Sequence, residues 1–282
     1  MQQRNGETID EGLVKTVVGS LVSLGLDRND LNKVCFDVYE EHFETPFIAE
    51  TVRYYKNESA TFLAENSVSD YLKKAEDRLR EEEDRVQRCL CTNTRQVLID
   101  KCVHVLVREH AALMWGSFQS LLDYDKEEDL HRMFTLLSRI PEGLEPLRTR
   151  FEAHVKRVGL AAVSKLIVED GSTDSLDPEA YVGVLLETHR KNSEIVNRSF
   201  EGEAGFAASL DTACREFINR NAATRTSSAM SSGFIAKYLD MLLRKNSKLA
   251  KEDGLDDRVV RKLFPGWDCF LSIILGDALK VS

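Results

Sequence analysis

The stretch from Ser67 to Leu122 leaves the chain few ways to fold. Its first part, SVSDYLKKAEDRLREEEDRVQRCL, puts Val68, Tyr71, Leu72, Ala75, Leu79, Val86 and Leu90 on one stripe of an α-helix and leaves charge on the remaining faces. Ser67 and Asp70 read as a capping box at its start. Glu76/Arg80, Glu81/Arg85 and Asp84/Arg88 are acid-to-base pairs one helical turn apart along the wet face. A short break over Cys91, Thr92 and Asn93 follows. Then TRQVLIDKCVHVLVREHAALMWGSFQSLL repeats the stripe with Leu98, Cys102, Val105, Leu106, Leu113, Phe118 and Leu122. Two long helices that bury such stripes together predict an antiparallel hairpin around which everything else packs.

At 282 residues the core needs no disulfide or metal to hold it. A hydrophobic fraction of 43% beside a charged fraction of 30% is that of a soluble globular protein, and no window alternates cleanly with period two. The expected fold is therefore all-α. A net charge of -9 without a local basic patch disfavours nucleic acid and anionic membrane as partners. The first residues, MQQRNGETIDEG, lack the apolar core of a signal peptide, and the longest apolar run, Cys269 to Leu275, is too short to span a bilayer. The expected location is inside the cell, in cytoplasm, nucleus or both. The cysteines, at 35, 89, 91, 102, 214 and 269, look like small buried hydrophobes in a reducing compartment. The glycosylation sequons at Asn57 and Asn197 sit in helical patterns and are discounted.

Along the chain, Ile9 to Leu24 carries Leu13, Val14, Val17, Val18, Leu21 and Val22 on one face, with Gly25 as the stop. Leu31 to Glu41 forms the next helix, and from Phe43 the pattern Phe47, Thr51, Tyr54, Tyr55, Phe62, Leu63 forms another, with Pro46 in its first turn. At that spacing the aromatics read as core. The acids from Asp123 to Asp129 mark a turn and the start of the helix Leu130 to Ser138, where the macrodipole favours them. Leu144, Leu147, Phe151, Val155 and Val158 give a helix ending near Gly159, and Lys165 to Asp177 is the most loop-like stretch. Three further helices are centred on Tyr181–His189, Phe206–Phe217 and Ile235–Leu243, with a polar linker from Thr224 to Ser232 before the last. Phe47, Thr51, Tyr54, Tyr55 and Glu58 share their spacing with Phe206, Leu210, Ala213, Cys214 and Phe217, a faint sign of an internal repeat.

Motifs for chemistry are sparse. The run Asp123, Asp125, Glu127 opens like a calcium loop, but Glu128 and Phe134 stand where glycine and a bidentate acid are required. Cys89, Cys91, Cys102 and His104 lack the spacing of a zinc site. Asp256 and Asp257 lack the third acid of a magnesium-binding helix, since Val260 occupies its place, and no glycine-rich phosphate loop exists. The histidines form no nucleophile motif, so His110 and Cys102 are expected to serve packing alone. The expectation is an interaction scaffold with no catalytic, cofactor-binding or metal residues and no cofactor.

Longer strings carry a resemblance. ETPFIAETVRYYKNESATFLAENSVSDYLKKAEDRLREEEDRVQRCL, REHAALMWGSFQSLLDYDKEEDLHRMFTLLSRIPEGLEPLRTRFEAHVKRVGLAAV and GEAGFAASLDTACREFINRNAAT resemble the amino-terminal stalk of a cullin. Among cullins they are most similar to that of the F-box-type (SCF) ubiquitin ligases, in a fungal version, over roughly Asn5 to Lys251. The resemblance implies tandem cullin-repeat helical bundles stacked as an elongated stalk. Such a stalk is a non-enzymatic scaffold of ubiquitin-dependent protein catabolism, holding a substrate receptor at one end and a RING subunit at the other. Residues 5–138 would be a second repeat, 139–254 an incomplete third, and 255–282 a divergent tail. The family's earlier repeat, which docks the F-box adaptor, and its carboxy-terminal domain, which grips the RING subunit, have no counterpart in this sequence. Both docking surfaces are therefore expected to be missing. The likeness fails after about Gly254, where LDDRVVRKLFPGWDCFLSIILGDALKVS is either a tail packed on the third bundle or the translated intron or shifted frame of a truncated gene. The alternative function is a free-standing helical adaptor, or the product of a truncated gene, without ligase activity.

Overall fold

A computed structural model describes residues 2–25, 35–170, 176–224, 231, 233–238 and 240. The fold is all-α, as the spacing predicts: among the described residues every regular element is a helix. The chain divides into two compact units, Met1–Leu144 and Glu145–Ser282.

In the first unit a short 3₁₀ arm, Gln2–Asn5, precedes α1 (Glu11–Leu24). Next come α2 (Asp37–Tyr39), α3 (Thr45–Glu65), α4 (Val68–Cys89), α5 (Thr94–Leu106), α6 (Ala111–Asp123) and α7 (Glu127–Leu137). The capping box is present, with Ser67 Oγ accepting from the Asp70 N–H at 3.2 Å and donating to Asp70 Oδ2 at 2.6 Å. α4 touches α1, α3, α5, α6 and α7, burying Tyr71, Leu72, Ala75, Leu79, Val86 and Cys89, each worth up to about 1.5–3 kcal/mol of apolar burial for the larger side chains.

The second arm of the expected hairpin is not one helix. α5 ends at Leu106, a 3₁₀ turn spans Arg108–His110, and α6 starts afresh at Ala111. The reason is a slip of phase. Continuing the stripe Leu98, Cys102, Val105 would bring Glu109 inward, so the chain kinks and resumes burial at Ala111, Met114, Phe118 and Leu121, leaving Leu113 52% exposed. The expected break between Glu41 and Phe43 is likewise absent. A π turn, Glu40–Glu44, joins α2 to α3 directly. Pro46 sits one residue inside α3 and cannot donate to a preceding carbonyl, and the wider turn before it, closed by Thr45 N–H to Glu40 O, absorbs that loss. α1 starts on its Asp10 cap and buries Val18, but leaves Leu13 and Val17 exposed.

In the second unit α8 (Glu145–Asp170), α9 (Pro178–Ser199) and α10 (Ala204–Asn219) pack on one another. α8 does not stop at Gly159. That glycine lets α8 approach α10, since a Cβ there would lie 2.6 Å from the Phe217 ring. α8 then runs to Asp170, through half of the segment expected as loop. Phe151, Phe200 and Phe206 form an aromatic core, with Phe200 stacked on Phe206 at 4.0 Å between centroids. Thr51/Leu210 and Tyr55/Cys214 are the pairs of the faint repeat in which both members are buried. Residues 233–238 and 240 are helical; Leu239, Leu242, Leu243 and the expected tail from 255 lie outside the described residues.

Candidate functional site

The densest polar constellation of the first unit lies on the buried side of α4. Glu82 is 0% exposed and Arg85 7%, so Arg85 belongs to the core and not to the wet face. It pairs with Glu82 instead of Glu81, which turns to Arg78 at 2.6 Å. Arg85 Nη1 meets Glu82 as an ion pair without an aligned hydrogen bond, while its Nε donates to Gln3 Oε1 at 2.7 Å. The dominant partner of Glu82 comes from the arm. Arg4, 5% exposed, donates through Nε to Glu82 Oε1 at 2.7 Å and through Nη2 to Oε2 at 3.1 Å, and Nη2 also reaches Thr51 Oγ1 at 2.7 Å.

Three rings of α3 line the guanidinium, with centroids at 5.2 Å (Phe47), 5.8 Å (Tyr54) and 5.4 Å (Tyr55). The Tyr55 hydroxyl donates to Glu82. Burial alone would raise the Glu82 pKa, but the fork from Arg4 outweighs it and holds the carboxyl below its ordinary value. Burial and the adjacent Glu82 charge push the Tyr55 phenol well up, so it stays a donor.

The remaining charged pairs of α4 are peripheral. Arg80 lies 3.9 Å from Glu76 as expected. Arg88 reaches across to Glu11 of α1 at 3.2 Å and takes only the backbone carbonyl of Asp84. A second cluster, between α3 and α4, joins Glu58 to Arg78 and to Lys74 at 3.3 Å. It borders an open groove of about 840 Å³ lined by Arg53, Tyr54, Glu58, Phe62, Glu65 and Lys74.

Several of the described residues weighed for chemistry have structural contacts. Asp125 adopts φ 51° and helps close α6, with Lys126 N–H bonded to Leu121 O at 3.0 Å, while Glu127, Glu128 and Asp129 form the first turn of α7. Cys89 and Cys102 are buried, and burial raises both thiols out of the reactive range. Cys91 is half-buried and His104 lies 3.8 Å from Glu109. His110 Nε2 sits 3.2 Å from Ser59 Oγ, the nearest thing to a nucleophile and base. Ser59, however, is 2% exposed and gives its proton to Tyr55 O at 2.6 Å, and His110 is held neutral by burial. Among the described residues no group of three His, Cys, Asp or Glu side chains is placed to hold a metal ion, and no helix is long and apolar enough to cross a membrane. Asp256 and Asp257 lie outside the described residues.

Residues 1–263 fit the family model of the cullin alpha solenoid domain. The chain belongs to the cullin family. It is 46% identical over 256 residues to Cullin-1 of Dictyostelium discoideum, an alignment covering 90% of this chain and 33% of that protein. It is 41% identical to Cullin-1 of Schizosaccharomyces pombe, with 91% and 33% covered, and 36% identical to Cullin-1 of Caenorhabditis elegans, with 90% and 34% covered. The chain thus spans about a third of the length of these relatives.

Within this cullin domain the second unit has its own polar anchors. Arg148 donates to both oxygens of Glu203, at 3.2 and 2.8 Å, while Glu203 caps α10 through the Phe206 N–H at 3.0 Å. Asn221 donates to Tyr181 Oη at 2.9 Å, and that hydroxyl contacts Ser231 at 3.1 Å. The Glu82 and Asn221 nodes are what sequence reading missed. Their members are scattered along the chain, with Arg4 and Glu82 78 positions apart.

Proposed function

We propose that this chain is a scaffold segment of a cullin-type ubiquitin ligase, a rigid spacer that performs no chemistry itself. The observation that carries the reading is the match to the cullin domain over residues 1–263, joined by 46% identity to a Cullin-1. The inward use of Glu82, Arg85 and Ser59 supports it, because those buried groups fix helices against one another. Rigidity supplies the mechanism. A spacer that holds a receptor-bound substrate at a fixed distance from the RING-bound ubiquitin carrier raises the effective concentration of the reacting groups.

On this reading residues 5–138 and 139–254 act as the second and third repeats, and the surfaces for the F-box adaptor and the RING subunit belong to other parts of a whole cullin. Its setting is the cytoplasm or nucleus. The test has two arms. Purified chain mixed with adaptor or RING subunit should elute apart from both, whereas a stable complex with either would overturn the assignment of the docking surfaces. Replacing the matching third of a Cullin-1 by this chain should leave a working ligase; a chimera that folds and binds both partners yet transfers no ubiquitin would overturn the scaffold reading.

A further inference from the structure

The Arg4 side chain occupies a receptor built entirely by other elements. Its walls are Phe47, Thr51, Tyr54 and Tyr55 on α3 and Glu82 on α4, and Thr51, Tyr55 and Glu82 each have a contact that does not involve the arm. Thr51 is held by its bond to Phe47 O at 2.8 Å, Tyr55 is 0% exposed, and Glu82 is gripped by Tyr55 and Arg85. The ligand side is slight by comparison. The arm is a short 3₁₀ turn closed by Gly6 N–H to Gln3 O at 3.1 Å, with Gly6 at φ +86°, and residues 7–10 beyond it have no regular structure. Apart from Arg4 its ties are Gln3 to Arg85 and Glu11, and the Tyr54 hydroxyl beside Arg4 O and Asn5 Oδ1.

We propose that this socket is a guanidinium-binding site in its own right, filled by Arg4 and able to take a monoalkyl guanidinium supplied separately when Arg4 is absent. The chemistry is specific. A planar fork meets both oxygens of one buried carboxylate while aromatic rings surround the plane, and an ammonium can satisfy neither the fork nor the stacking. The natural ligand class is an arginine carried on an extended segment. The corresponding segment of a second copy carries the same arginine and meets the same description.

The experiment is chemical rescue. Arg4→Ala in the full chain removes the fork, leaves Glu82 facing an empty cage and lowers the unfolding midpoint read by circular dichroism. Millimolar methylguanidinium should restore most of that loss along a saturating curve. Methylammonium should not, and the wild-type chain should show no saturable gain. If Arg4→Ala does not fold alone, refolding in methylguanidinium should return the native helical spectrum. The proposal fails if Arg4→Ala melts like the wild type, if methylguanidinium gives no saturable gain in midpoint or no refolding, or if methylammonium works equally well.

Discussion

Two glycines inside helices make opposite predictions under the same substitution. By propensity alone, alanine in a helix interior gains about 0.5–1 kcal/mol over glycine. At Gly183 in α9 an added Cβ meets nothing within 4 Å, so the gain should be realised and the midpoint should rise by about 1–4 °C. At Gly159 the same Cβ would lie 2.6, 2.7 and 2.8 Å from three atoms of the Phe217 ring, where ordinary contact begins at 3.4 Å. Ring or helix must give by about 0.8 Å in a core where Phe217 is 0% exposed, a degree of overpacking that costs about 1–3 kcal/mol. Set against the propensity gain, Gly159→Ala should lose up to about 2.5 kcal/mol and melt up to about 10 °C lower. Thermal unfolding followed by circular dichroism reads both signs. A double variant, Gly159→Ala with Phe217→Leu, should lose less than the two singles together because the smaller side chain frees the space. A stabilised Gly159→Ala, matching Gly183→Ala, would refute the close approach of α8 and α10.

Leu79, 1% exposed on the central face of α4, should not tolerate aspartate: an unpaired charge there costs more than about 4 kcal/mol, and a variant with unchanged helicity and melting would show that the wrong face has been taken as core. Glu82 has a folded pKa below its unfolded value, so its contribution is full above the ordinary carboxylate range and is lost as pH falls through the depressed one; Glu82→Gln should weaken the fold at neutral pH and flatten this acid limb in pH-dependent denaturation, and an unchanged limb would count against the network. His189 is held below the usual imidazole range by burial, only partly offset by Asp211, and so works in the same direction. Stability should decline as pH drops below about 6.5, and His189→Gln should remove that part of the slope. Cys102→Ala should cost about 1–3 kcal/mol in urea denaturation from lost packing; an effect dependent on zinc would contradict a purely structural thiol.

The core face of α4 was legible in the sequence because its stripe is long and its cap is local: Ser67 and Asp70 are neighbours in both chain and space. What lay hidden was set by distant partners. Arg85 follows Glu81 at a spacing that suits a solvated pair, and nothing within a helical window reveals that Arg4 draws Glu82, and Arg85 with it, into the interior. Gly159 has the composition of a stop, and only Phe217 explains why the helix continues past it. The kink at Val107 could have been found, since Glu109 breaks the stripe, but the apolar residues on either side masked it. The family was legible for a different reason: long matching strings register the sum of such distant constraints without revealing any of them.

The π turn before α3 acts as a phase adjuster. It stores one extra residue in a run that otherwise advances about 100° and about 1.5 Å per residue. Removing one residue from Glu40–Glu44 would restore an ordinary helix and turn everything upstream by about that angle, swinging Tyr39 away from the Thr94 hydroxyl it meets at 2.6 Å. The first contact between this run and the start of α5 is thus tuned by the length of a single turn, and a gain or loss of one residue there would re-aim the chain that feeds α3 while leaving the packing of α3 itself in place.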